Sequence, residues 1–142
     1  KQQYLQMRDK AIKWADSMRT GVIPKDDGWL AFNSTIWKTL LYPMPALRLS
    51  KEECESIMQP ILNYLLPAIG VCRNFPRTLV YNSIKYMGLG IKHLFTTQEI
   101  LRLKDIISQV SQRSTTGNLY KTSLELLIIE LGMGTDFQHI PY

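Results

Sequence analysis

Arg73-Asn74-Phe75-Pro76-Arg77, followed by Tyr81, Lys85, Tyr86, Lys92 and His93, is the densest group of chemically capable side chains in this sequence. Guanidinium forks clasp phosphate oxygens through paired N–H donors, and the Asn74 carboxamide can hydrogen-bond to sugar or phosphate. The interleaved Phe75, Tyr81 and Tyr86 either stack on unpaired bases or anchor the segment in a core. From Ser56 to Gln98 there is no carboxylate. The cations Arg73, Arg77, Lys85 and Lys92 therefore form either an unopposed positive field that attracts phosphates or a solvated basic loop. Lys10, Lys13 and Lys38 are expected second contributors, in a chain of net charge +5.

Other chemistries lack their residues. His93, His139, Cys54 and Cys72 show none of the close pairing that zinc sites use, and two cysteines in 142 residues read as free thiols, not as a secreted disulfide framework. Asp26-Asp27 resembles a magnesium-holding pair only in adjacency. It follows Pro24-Lys25 and precedes a helical stripe, where acids complement the positive end of a helix. Gly88-Leu89-Gly90 lacks the strand-to-helix setting of a nucleotide loop and reads as a turn. No serine stands near a histidine in the order of a triad. The expectation is a chain with no catalytic residues, no metal and no cofactor of its own.

The elements that must position the basic cluster follow from apolar spacing. Tyr4, Met7, Ala11, Trp14 and Met18 recur at three- and four-residue intervals and define a first helix, ended by Gly21. Pro24 opens a second, with the stripe Trp29, Phe32, Ile36 and Leu40, stopped by Pro43 and Pro45. Ser50-Lys51-Glu52-Glu53 is a capping box opening a third helix along Cys54, Ile57, Ile61 and Leu65, with a kink or change of course expected at Pro60 and an end at Pro67 and Gly70. Pro76 can start a short helix through Tyr81. Thr96-Thr97-Gln98-Glu99 reads as a second capping box before Ile100, Leu103, Ile107 and Val110, and after a polar break at Ser114 to Gly117 a last helix carries Tyr120, Leu124, Leu127 and Leu131. The fold class is all-α: about five helices in a bundle, with an irregular basic connector between the third and fourth. One helical domain over 1–142 is the expected organisation, and 45% hydrophobic content suffices for a core.

No apolar run approaches the roughly 20 residues that span a bilayer, and no secretion signal is evident. An intracellular place, in nucleus or cytoplasm, is the expectation. Lys1 falls in mid-pattern and His139 to Tyr142 carry no stop signal, so the chain reads as a piece of a longer protein.

Four stretches carry a resemblance: WLAFNSTIWKTLLYPMPAL (Trp29 to Leu47), Leu49 to Cys54, CRNFPRTLVYNSIKYMGLGIKHLFTTQEI (Cys72 to Ile100) and LELLIIELGMG (Leu124 to Gly134). Together they resemble the region after the palm in non-LTR-like reverse transcriptases of retroelements from fungi, diatoms and oomycetes. The most specific parts are Tyr-Pro-x-Pro-Ala from Tyr42 to Ala46, Arg73 to Arg77, and Gly88-Leu89-Gly90-Ile91 followed by Leu94 and Gln98. The resemblance implies a retrotransposon thumb domain plus its connector, an RNA-binding and DNA-binding element. It would close over an RNA–DNA template-primer duplex while the palm and fingers of the parent enzyme, before Lys1, supply the catalytic aspartates. The sequence departs from that pattern at Met87, where other members carry a glycine, and at Lys92, where many carry proline.

The rival reading is a helical protein-protein interaction or scaffold module, including a copy domesticated by its host. It would dock through exposed parts of Trp14, Trp29 and Trp37.

Overall fold

The computed structural model describes residues 2–20, 24–112 and 114–132. Helices run as α1 Gln2–Thr20, α2 Lys25–Ala31, a π-helical turn Phe32–Ile36, α3 Trp37–Leu41, a 3-10 turn Met44–Ala46, α4 Lys51–Ala68, α5 Arg77–Tyr81, a 3-10 turn Ile84–Tyr86, α6 Leu94–Ser111 and α7 Thr115–Glu130. The described residues contain no strand. With α2, the π turn and α3 forming one unbroken run, the described residues form five main helices, and the connector between the third and fourth holds α5 and its 3-10 turn. Gly21, expected to end α1, lies outside the described residues, as does His139.

The chain divides into two compact units, Lys1–Ile100 and Leu101–Tyr142. In the first, α1 packs along α4. α1 buries Met7, Ala11 and Ala15, with Tyr4, Trp14 and Met18 of its expected stripe half-buried, and α4 buries Cys54, Ile57, Met58, Ile61, Leu62, Leu65 and Leu66. The two alanines present almost no side chain, which lets the helices approach closely. The Tyr4 hydroxyl donates to Ser56 Oγ at 3.0 Å, tying the start of α1 to α4.

The expected capping box of α4 is present: Glu53 N–H donates to Ser50 Oγ at 3.1 Å and Ser50 N–H to a Glu53 carboxylate oxygen at 2.9 Å. The helix continues through Pro60 and Pro67. It ends at Ala68 with Ile69 as C-cap, and Gly70, at φ 83°, turns the chain so that Gly70 N–H reaches Pro67 C=O and Val71 N–H reaches Leu66 C=O, satisfying carbonyls that the last turn leaves open.

The π turn has a cause in the sequence. Asn33, Ser34 and Thr35 send side-chain donors back to the carbonyls of Trp29, Leu30 and Ala31, one turn earlier. These bonds compete for acceptors that the backbone N–H groups would otherwise use, and Trp37 N–H bonds to Phe32 C=O, five residues back. The additional residue per turn brings both Ile36 and Trp37 to the buried side with Phe32 and Leu40.

The expected capping box at Thr96 to Glu99 is not formed. α6 begins earlier, at Leu94, because His93 takes the capping role: its Nδ1 accepts from Thr96 N–H at 3.4 Å, and its carbonyl accepts from Thr97 N–H and the Thr97 hydroxyl. Gln98 is thereby turned inward and fully buried. Its Oε1 accepts from Leu49 N–H and its Nε2 donates to Leu49 C=O, both at 3.1 Å.

In the second unit, Ser114 caps α7 by accepting from Gly117 N–H at 3.1 Å. The helix starts at Thr115, so the polar break expected to reach Gly117 is shorter. Gly117 lies so close to the carbonyls of Gln109 and Gln112 that no Cβ fits. Every buried apolar side chain among the described residues lies between Met7 and Leu94. α7 instead leaves Leu119, Leu126, Leu127 and Ile129 exposed, as α6 does Leu103 and Ile107.

Candidate functional site

The connector is a folded loop. Phe75 N–H closes a turn on Cys72 C=O, and Pro76, with its fixed φ, leads into α5. After α5 the chain reverses through the 3-10 turn, whose N-cap Ser83 accepts from Lys85 N–H at 3.3 Å. It then returns beside α5: Leu89 N–H bonds to Leu79 C=O at 2.9 Å, Ile91 N–H to Val80 C=O at 3.1 Å and Gly90 N–H to Asn82 C=O at 2.8 Å. Val80, Ile91 and Leu94 are buried beneath this crossing.

Two positions make the reversal possible. Gly88 lies against Asn82, where a Cβ would meet the Asn82 carbonyl oxygen at 2.2 Å. Met87 adopts φ 59° and ψ 22°, the left-handed region that glycine occupies without steric cost. The Asn82 side chain braces the turn from inside: Nδ2 donates to Tyr86 C=O at 3.2 Å, and Oδ1 accepts from Ser83 N–H at 3.0 Å.

Arg73, Asn74, Arg77, Lys85 and Lys92 are all exposed on this frame. Among the described residues, none of the four cations forms an ion pair, and the Lys85 ammonium lies 5.7 Å from the centroid of the Tyr86 ring. The helical candidates are also exposed but stand on other elements, Lys10 and Lys13 on α1 and Lys38 on α3, and Lys13 is paired with Asp9 at 2.8 Å.

Arg77 differs from the others. It lines an open pocket of about 450 Å³ together with Glu52, Glu55, Ser56, Gln59, Leu62 and Tyr81. Burial pushes the Tyr81 phenol above its ordinary value of 10.0, opposed by the Arg77 guanidinium and reinforced by Glu55. The acid-free stretch of sequence is therefore not acid-free in space at Arg77. Glu52 and Glu55 of α4 were missed because nothing in the linear pattern says which helix α5 packs against. The capping box of α4 signals acids in its first turn, where Glu52 stands, whereas Glu55 lies beyond that turn.

The aromatics of the connector differ in burial. Phe75 and Tyr81 are half-buried, Tyr81 edge-on to His93 with centroids 4.7 Å apart, whereas Tyr86 is exposed. Asp26 and Asp27 occupy the first turn of α2. Trp14, Trp29 and Trp37 surround the buried Phe32 with centroids 6.3, 6.0 and 5.7 Å from it. The indole N–H of Trp14 donates to Thr35 Oγ1 at 2.9 Å, and Trp37 is buried. The tryptophans thus pack on Phe32, and the larger apolar exposure lies on α7.

No helix among the described residues is long and apolar enough to cross a membrane. Comparison of the chain with family models, curated proteins and solved structures finds no match.

Proposed function

We propose that this chain is a non-catalytic grip for nucleic acid, holding the phosphate backbone of an RNA–DNA hybrid through its connector, as the thumb of a reverse transcriptase would. One observation carries the reading: Arg73, Lys85 and Lys92 stand exposed, without a carboxylate partner, on a loop whose backbone is fixed by its own hydrogen bonds. On a braced frame only the side chain of a cation, and not the loop that carries it, has to be ordered when it meets a phosphate. Arg77 contributes less, because Glu52 and Glu55 share its pocket. The work assigned to the chain is positioning, with the chemistry left to the palm of a parent enzyme.

Fluorescence anisotropy of a labelled RNA–DNA hybrid, titrated at several salt concentrations, tests this. Each phosphate neutralised releases condensed counterions, so log affinity falls with log salt by about 0.7 to 0.9 per contact. Three contacts give a slope of roughly −2 to −3, and Arg73→Ala/Lys92→Ala lowers its size by roughly two contacts. An affinity that does not change with salt overturns the reading.

A second reading, a helical interaction module, is favoured by α7, where Leu119, Leu126, Ile129 and the C-cap Leu131 are all more than half exposed. A helix apolar on most of its sides belongs against another surface. The two readings are compatible, since a thumb must also meet the rest of its enzyme.

A further inference from the structure

The turn from Ile84 to Met87 projects apolar side chains from the most basic part of the chain: Ile84 is 74% exposed, Tyr86 64% and Met87 92%. Chains usually place small polar residues at such a tip. This tip is also stiff. Asn82 holds Tyr86 C=O and Ser83 N–H, Gly88 N–H bonds to Ser83 C=O at 3.1 Å, and Gly88 itself is wedged against the Asn82 carbonyl. Met87 is held in the left-handed region although it carries a Cβ. A backbone outlier fixed by its surroundings, beneath exposed apolar groups, is a feature concentrated at binding sites.

The geometry points to the tip as a stacking platform: the Tyr86 ring lies on the first unpaired base beside the duplex, and the Lys85 ammonium takes the adjoining phosphate. This rests on the nucleic-acid reading given above and deepens it by naming the single-strand junction as the preferred substrate. An aromatic face stacks on any base, which suits a grip without sequence preference. Lys85 is already associated with the ring, and a cation beside a stacking aromatic adds attraction for the base and its phosphate together. Lys92 and Arg73 supply further positive charge on the same connector, with no acid between Val71 and Phe95. An anionic membrane would also meet cations and apolar groups, but three side chains give a bilayer only marginal affinity, and lipid insertion has no use for a rigidly oriented ring.

The test uses the whole chain with an RNA–DNA hybrid carrying a single-stranded overhang, with 2-aminopurine at the first unpaired position, and a blunt hybrid as reference. The expected results are quenching of 2-aminopurine on binding and preference for the overhang over the blunt end. Tyr86→Ala should lose both, weakening overhang binding roughly tenfold at an unchanged salt slope, while Tyr86→Phe keeps both. Circular dichroism confirms that both variants fold. Salt-dependent binding of both hybrids with no quenching, and no effect of Tyr86→Ala, overturns the platform and leaves the phosphate grip standing. No binding of either hybrid at about 50 mM salt overturns both proposals, and sedimentation with phosphatidylserine vesicles would then identify the tip as a membrane contact.

Discussion

The Gln98 carboxamide pairs with both main-chain groups of Leu49, accepting from its N–H and donating to its C=O, each at 3.1 Å. A side chain thereby does for Leu49 what a neighbouring strand would do, 49 residues away in sequence. The segment entering α4 is fixed to the start of α6, and the connector is held at both ends.

Replacing Gln98 by Leu leaves two buried backbone groups without partners, at about 1 to 3 kcal/mol each. Urea unfolding of Gln98→Leu should show a loss of about 2 to 6 kcal/mol, and a loss below about 1 kcal/mol would show that Leu49 finds other partners. Gln98→Glu keeps the acceptor but loses the donor and buries a charge. Burial raises such a carboxyl above its ordinary range, so the variant should be most destabilised at neutral pH and partly recover as pH falls and the group protonates.

Met87 and Gly88 make an opposed pair. A left-handed conformation costs a non-glycine residue roughly 1 to 2 kcal/mol, so Met87→Gly should raise stability by about 1 kcal/mol after the entropy of the freer unfolded chain is subtracted. Because Met87 is almost fully exposed, little packing is lost. Gly88→Ala drives a methyl group into the Asn82 carbonyl and should destabilise the connector. Thermal melts of the two variants should move in opposite directions.

The two cysteines should react very differently. Burial, with Glu53, Glu55 and Glu99 adding to it, pushes the Cys54 thiol from 9.0 up to about 11, while Cys72 is exposed. A disulfide reagent at neutral pH should titrate one thiol quickly and the second only on unfolding. Below pH 9 both folded and unfolded Cys54 keep the proton, so the group adds no pH dependence. Between about 9 and 11 only the unfolded chain releases it, and stability should fall as pH rises. In Cys54→Ala that decline should shrink.

Among the cations, Arg77→Ala should weaken hybrid binding less than Arg73→Ala or Lys92→Ala, because Glu52 and Glu55 line the same pocket as Arg77. Removing those acids as Glu52→Gln/Glu55→Gln should strengthen binding and steepen its salt dependence. Equal losses at Arg73 and Arg77 would show that the pocket carboxylates do not screen Arg77.

Most of this architecture was legible in the sequence because its signals are local. The stripe from Tyr4 to Met18, the Ser50 capping box, and prolines ahead of α2 and α5 each act within one or two turns. The π turn escaped because the period of Trp29, Phe32, Ile36 and Leu40 fits an α-helix equally well, and the deciding competition comes from Asn33, Ser34 and Thr35. The start of α6 was misread because Thr96 and Glu99 have the right spacing for a capping box, whereas His93 reaches the same N–H from three residues upstream. At the candidate site, exposure of Arg73, Lys85 and Lys92 agreed with the charge pattern. The acids near Arg77 and the inward turn of Gln98 depend on contacts across the fold, which one-dimensional spacing does not encode.

Phe32, with Trp14, Trp29 and Trp37 around it, gathers every indole of the chain into one neighbourhood of residues 1–100. Tryptophan emission during a melt is therefore a local thermometer for that unit, with no indole in α7 to report. Far-ultraviolet circular dichroism sums all the helices, α7 included. Where two-state behaviour holds the two curves superimpose, and any interval between them measures how far the helix with the most exposed leucine and isoleucine melts on its own.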